Sequence, residues 1–316
     1  MTRLFLARRS AAQIFFILAA ACGLGRPLAS NATQAAPPSV PKFSHIIVII
    51  MENKEFEQVI GNAGMPNLNS RAKEYTLLTQ YFGVSHPSLP NYVALIGGDT
   101  FGIQSDCTDC YLKAKSLPDL VEAGGRSWKT YQESLPSAGF TGDFSGKYAK
   151  KHNPFLYFDA IRQDLNRCRR SVVPFTQLAA DLKQSQLPDY AFIVPNLCNS
   201  GHDCGVKTTD NWLGKVVNSI LESPAFDRNS LLVLTFDEGL TNRGCCGSPP
   251  QAGGGRLATI LISPLAKKSY EDPTPYSHYS LLRTIAAAWG LEELAHSSDS
   301  QTNLMVLPWQ DQDSPR

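Results

Sequence analysis

The stretch from Ser85 to Gly98 reads Ser-His-Pro-Ser-Leu-Pro-Asn-Tyr-Val-Ala-Leu-Ile-Gly-Gly. Pro90 suits the first turn of a helix, where a missing N–H costs nothing. Val93, Leu95 and Ile96 supply the apolar body of that helix. Ser88 then falls at or just before the helix start, at the positive end of the helix dipole and beside free backbone N–H groups. A phosphate attacked by the Ser88 hydroxyl would meet those donors, and Asn91 is near enough to add a side-chain amide. The alternative is a serine that only caps a buried helix.

Two acidic pairs stand where strands should end. The β-branched run Ile46–Met51 leads straight into Glu52-Asn53, and Leu231–Phe236 leads into Asp237-Glu238-Gly239. Either pair alone reads as a helix cap. Both together, beside a helix-start serine, read better as a site. Adjacent carboxylates repel unless something positive separates them, and a metal ion is the economical answer. Three histidines lie near these segments: His86 before Ser88, His202 in the Gly-His-Asp after a strand, and His278 ahead of a helix. A single histidine is more often structural, and His45 and His296 receive no role.

The serine segment resembles the nucleophile loop of the alkaline phosphatase superfamily. Within it, the chain is similar from Phe43 to Leu291 to the phosphoesterase family of bacterial and fungal acid phosphatases and phospholipases C. The resemblance implies that Glu52, Asn53, Ser88, Asp237 and Glu238 hold one divalent metal ion. That nearly all-oxygen set suits a hard or borderline ion such as Ca, Mg, Mn or Zn. It also implies catalytic roles for Ser88, His202 and His278, and substrate binding by His86 and Asn91. Where two-metal relatives carry an aspartate, this chain has Asn196, so one ion is expected, with Asp203 the residue able to rescue a second. His152-Asn153-Pro154-Phe155 matches a family motif without a chemical role, and a structural turn explains it equally well. Tyr92 replaces the arginine that sulfatases require.

The implied activity is that of a secreted phosphomonoesterase working through a phosphoserine. A phospholipase C-type phosphodiesterase acting on a phospholipid headgroup is the alternative. Larger family phospholipases carry an extra C-terminal region, whereas this chain stops soon after Leu291, which favours monoesters. A non-catalytic binding protein on the same fold is the remaining class.

Strand-like and helix-like segments alternate along the chain. Ile46–Met51, Ala191–Val194, Leu231–Phe236 and Ala258–Ile262 read as buried strands. Segments 116–123, 174–182, 212–221 and 279–289 read as helices. The pattern predicts an α/β fold that is alkaline phosphatase-like, a mostly parallel sheet with helices on both faces and its site beyond the strands' carboxyl ends. Residues 1–30 read as a signal peptide, with a basic start and an apolar run too short to span a bilayer. Residues 31–42 form a Pro-rich tether and 43–310 the catalytic domain. Arg8-Arg9 is a poor twin-arginine signal, and Cys22 a weak lipid-attachment site. A periplasmic or extracellular location is expected, with no transmembrane segment.

The formal net charge of +1, with no long basic or acidic run, gives no electrostatic case for nucleic acid. Seven cysteines follow the signal. In an exported chain they read as disulfides, with Cys107–Cys110 and Cys198–Cys204 the natural local pairs and one thiol left over. Half a zinc site at Cys107-x-x-Cys110 is the rival, with no second half at zinc spacing. The loop Gly239–Arg256 is expected to be a mobile rim stapled by Cys245 or Cys246, with Arg256 near substrate. Glu55 and Glu57 lie outside the motif and are expected to be dispensable.

Overall fold

The computed structural model describes residues 39–247 and 253–310. In chain order its elements are β1 (Ile46–Met51), α1 (Phe56–Val59), α2 (Pro66–Glu74), β2 (Thr76–Phe82), α3 (Ser88–Gly97), α4 (Leu117–Ala123) and β3 (Trp128–Gln132). A small hairpin, β4 (Phe144–Ser145) with β5 (Tyr148–Ala149), precedes two 3₁₀ turns. Then come α5 (Asp159–Arg162), α6 (Leu165–Ser171), β6 (Val172–Pro174), α7 (Thr176–Lys183), β7 (Tyr190–Val194) and α8 (Val206–Leu221). The chain closes with β8 (Leu231–Phe236), β9 (Arg256–Ile262), β10 (Tyr270–Asp272), β11 (Tyr276–Ser277) and α9 (His278–Trp289).

Nine strands form one sheet in the order β10-β2-β9-β8-β1-β7-β3-β6, with β11 also beside β2. Only β9 runs against its neighbours β2 and β8; the other pairings are parallel. The expected mostly parallel sheet is present. Helices pack in three groups, α2 with α8, α3 with α4 and α9, and α5 with α6. Strand β1 is buried along its whole length, as a run of isoleucine and valine between two parallel strands must be. Each such side chain contributes about 1.5–3 kcal/mol relative to exposure.

Register places the site. Met51 stands opposite Phe236 in the β1–β8 pair, so both strands end at the same level and Glu52 and Asp237 emerge side by side. Strand β7 runs parallel to β1 on its other edge, from Ile46 opposite Tyr190 to Ile49 opposite Ile193. Its continuation delivers the loop carrying His202 to the same end.

Some elements extend or add to the sequence reading. Helix α3 begins at Ser88 itself, with Pro87 as the preceding cap residue, and α8 begins at Val206, ahead of Trp212. Strands β2 and β3 have mixed composition and no clean alternation, yet both lie in the sheet. Cys107–Cys110 and Cys198–Cys204 are bonded as expected. Cys245 and Cys246 bond to each other, so neither staples its loop to another element. The remaining thiol is buried Cys168. Among the described residues, no helix is long and apolar enough to cross a membrane. The signal peptide, Arg8-Arg9, Cys22 and the tether up to residue 38 lie outside the described residues.

Candidate active site

Ser88 is the first residue of α3 and almost wholly buried. Its hydroxyl donates to Glu238 Oε1 at 3.0 Å and lies 3.4 Å from Glu52 Oε2. Asn53, at φ 49°, turns the chain after β1 so that its N–H reaches Asp237 Oδ1 at 3.1 Å. The Tyr92 hydroxyl donates to Glu52 Oε1. The five residues expected around the ion are thus brought together from three segments.

Three carboxyls in one buried place perturb one another. Burial, then the charge of Asp237, pushes Glu52 well above the usual carboxylate range. Burial, then Glu238, likewise pushes Asp237 up. Asn53 Oδ1 and Asp237 Oδ2 are buried without a hydrogen-bond partner among the described residues. Such orphaned acceptors are costly unless a cation or donor satisfies them. The donor set, four side chains of carboxylate or amide oxygen plus a hydroxyl, fits a hard divalent ion. Among the described residues, no group of three or more His, Cys, Asp or Glu side chains is spaced to hold a metal ion.

The histidines take distinct places. His86 Nδ1 contacts Glu238 Oε2 and its Nε2 lies 3.0 Å from the Thr241 carbonyl. Both nitrogens face acceptors, which only the doubly protonated ring satisfies, and pairing with Glu238 raises its pKa. His86 therefore sits on Glu238 rather than presenting a nitrogen to phosphate. His278 is wholly buried, with Nε2 at 2.5 Å from the Asp237 carbonyl and Nδ1 at 3.1 Å from the Tyr81 hydroxyl. Burial holds its pKa down at about 4. Both its nitrogens are engaged, one of them on the Asp237 backbone carbonyl. His202, like His86, is partly exposed at its side chain. Its Nδ1 lies 2.6 Å from Asp203 Oδ1 and its Nε2 3.5 Å from Lys151 Nζ.

Asn91 is engaged by its own loop. Its Oδ1 accepts from Val84 N and Ser85 N at 2.8 and 3.1 Å, and its Nδ2 donates to the Ser85 and Pro87 carbonyls at 2.8 and 3.1 Å. The amide is fully spent holding the loop in front of Ser88. The Leu89 N–H is also taken, by Asp106 Oδ1 at 3.1 Å, so that donor of the helix start is not free. Asn196 bonds its own loop through Cys198 N and Asn199 N, both at 3.0 Å.

The rim differs from expectation too. Arg256 reaches the Thr79 carbonyl and Glu57 and covers the Phe56 ring, so it points away from the carboxylates. Glu55 is not a bystander: it accepts from Leu240 N, Thr241 Oγ1 and Arg256 N at 2.8–2.9 Å, tying down the chain that follows Glu238. Gly83, Gly239 and Gly254 lie backbone to backbone beneath it; a Cβ at Gly83 would come within 2.7 Å of the Gly254 carbonyl. The described part of this loop is anchored.

Four side chains join the site that the sequence reading passed over. His152 Nε2 lies 3.4 Å from Glu52 Oε1 without hydrogen-bond geometry, buried and unpartnered, while its ring stacks on Tyr92 at 5.2 Å. Burial drives its pKa well below the usual imidazole value, so the ring is neutral. The His-Asn-Pro motif was the signal for it. Lys151, Lys54 and Asp106 had no signal. Lys54 Nζ donates to the Gly201 carbonyl at 2.8 Å and to that of Asn53 at 3.2 Å, clamping the His202 loop to the end of β1.

Comparison with known proteins adds the family. A model of the Phosphoesterase family matches residues 63–292. The chain is 38% identical over 274 residues to a phosphate-repressible acid phosphatase of Penicillium chrysogenum, covering 84% of this chain and 63% of that relative. It is 30% identical over 268 residues to a phosphatidylinositol-3-phosphatase of Mycobacterium tuberculosis, covering 84% and 83%. Thus it spans a little under two thirds of the fungal relative's length. Among solved structures, an alkaline phosphatase superfamily protein from Vibrio parahaemolyticus superposes with a TM-score of 0.57 at 12% identity, covering 83% of this chain and 72% of that one. The chain belongs to the Phosphoesterase family, on the fold of the alkaline phosphatase superfamily.

Proposed function

We propose that the chain is an exported, metal-dependent acid phosphatase that cleaves phosphomonoesters through Ser88. The observation that carries this is the buried Ser88 hydroxyl, fixed at the start of α3 and 3.0 Å from Glu238 Oε1, in a group that leaves Asn53 Oδ1 and Asp237 Oδ2 without partners. The names of the fungal and mycobacterial relatives support the reaction class. The disulfides support export, since such bonds persist in oxidising compartments.

Attack of Ser88 Oγ on phosphorus expels the ester oxygen and leaves a phosphoserine, which water then hydrolyses to inorganic phosphate. The hydroxyl proton passes to Glu238 Oε1, whose second oxygen is held by His86. His202 is oriented through Nδ1 by Asp203, and its Nε2 lies 3.5 Å from Lys151 Nζ. Protonated, it donates to the leaving oxygen; neutral, it takes the proton of the attacking water. A divalent ion held by Glu52, Asn53, Ser88, Asp237 and Glu238 would lower the pKa of the Ser88 hydroxyl and polarise a phosphoryl oxygen. The mycobacterial relative's name favours one further substrate for the same chemistry, a monophosphate on a lipid headgroup.

Turnover of p-nitrophenyl phosphate by the full chain tests this. Chelator should abolish it, added divalent ion should restore it, and Ser88→Ala should lower kcat by at least about a thousandfold. Full activity in chelator removes the ion from the mechanism. Activity in Ser88→Ala above a few per cent removes the nucleophile.

A further inference from the structure

The proposed site is rich in carboxylates, yet a phosphomonoester is close to a dianion near neutral pH. Something must distinguish its second charge from the single charge of a diester. We infer that Lys151 is that group, a specificity residue whose ammonium binds a peripheral oxygen of the monoester; the inference rests on the phosphomonoesterase reading above.

Lys151 lies in the 3₁₀ turn Lys150–His152, directly before the histidine that packs on Tyr92 and approaches Glu52. Its Nζ donates to Asp106 Oδ2 at 2.8 Å. The other oxygen of Asp106 accepts the N–H of Leu89, the residue after the nucleophile. On the other side, the same Nζ lies 3.5 Å from His202 Nε2. The ammonium is therefore fixed between the start of α3 and His202. Its side chain is 16% exposed, shielded enough for its charge to count.

Donor arithmetic leaves room for substrate. An ammonium has three N–H groups; Asp106 takes one and His202, when its Nε2 is unprotonated, faces a second, which leaves at least one. The charge is also kept. Burial opposes it, but the bond to Asp106 and the charges of Asp106, Glu52 and Asp237 raise the Lys151 pKa. Lys54, the neighbouring ammonium, is committed to the Asn53 and Gly201 carbonyls. The competing explanation is a purely structural Lys151–Asp106 pair that braces the Cys107–Cys110 loop.

The two differ in one ratio. Lys151→Met and Lys151→Arg in the full chain would be assayed on p-nitrophenyl phosphate and on its methyl diester. Where the diester is not turned over, its inhibition constant replaces kcat/KM. A charged hydrogen bond corresponds to about ten- to a hundredfold. Lys151→Met should lower the monoester-to-diester ratio by that factor and weaken inhibition by inorganic phosphate. Lys151→Arg, which keeps the charge, should restore most of the ratio. An unchanged ratio overturns the inference, whether both rates fall together, as a bracing role requires, or neither does. If Lys151→Met shows no cooperative melt, Lys151→Gln takes its place. Wild-type protein inactive on both esters would overturn the phosphomonoesterase reading and this inference with it.

Discussion

Replacing Asn91 by alanine removes four hydrogen bonds at once. All four hold the loop from Val84 to Pro87 against α3, and Asn91 itself is wholly buried. At a net 0.5–1.5 kcal/mol each, their sum is about 2–6 kcal/mol. For a domain of this size each kcal/mol moves the melting temperature by roughly 2–4 °C, so the variant should melt roughly 4–24 °C below wild type. Because the released loop leads into Ser88, kcat should fall while KM for p-nitrophenyl phosphate changes little. Asn91→Asp sharpens the test. It keeps the acceptor for Val84 and Ser85 but sets a carboxylate oxygen against the Ser85 and Pro87 carbonyls, so it should be no more stable than Asn91→Ala. Calorimetry with steady-state kinetics reads both effects. A variant melting within about 1 °C of wild type, with a raised KM and weakened phosphate inhibition, would mean that Asn91 binds substrate and that the loop needs no clamp.

Glu55→Ala should release Leu240, Thr241 and Arg256, lowering both Tm and kcat, whereas exposed Glu57→Ala should change kcat little; equal behaviour of the two would refute the anchoring role. Asp181 joins α7 to β3 through Lys129 and Tyr131. Burial opposes its ionisation, but those bonds hold its pKa below the usual value. Its contribution is therefore complete above an unfolded pKa of about 3.9 and lost as pH falls through the lower folded value. Asp181→Asn should reduce stability at neutral pH and flatten the acid limb of the Tm-versus-pH curve, and an unchanged acid limb would contradict this.

The parts of the fold legible in the sequence are those written in apolar runs. β1, β7 and β8 are buried on both faces, so their composition alone identifies them. The acidic residues at the ends of β1 and β8 followed directly, because parallel strands in matched register deliver their next residues to one edge. β3 was not legible because its polar residues are satisfied by partners far along the chain, Lys129 and Tyr131 by Asp181. The hydrogen bonds of Asn91 were not legible for a related reason. Helix geometry put it near Ser88 but could not say that its amide folds back onto the preceding loop. His152 and Lys151 belong to a 3₁₀ turn whose approach to Glu52 and Asp106 exists only in three dimensions.

The most direct test of the chemistry is to quench the full chain in acid during turnover of p-nitrophenyl phosphate and to map the phosphorylated peptide. Phosphate on Ser88, absent from Ser88→Ala, is the expected result. Acid-stable phosphate on another residue instead, or no phosphoenzyme together with an active Ser88→Ala variant, would contradict the assignment of Ser88 as nucleophile.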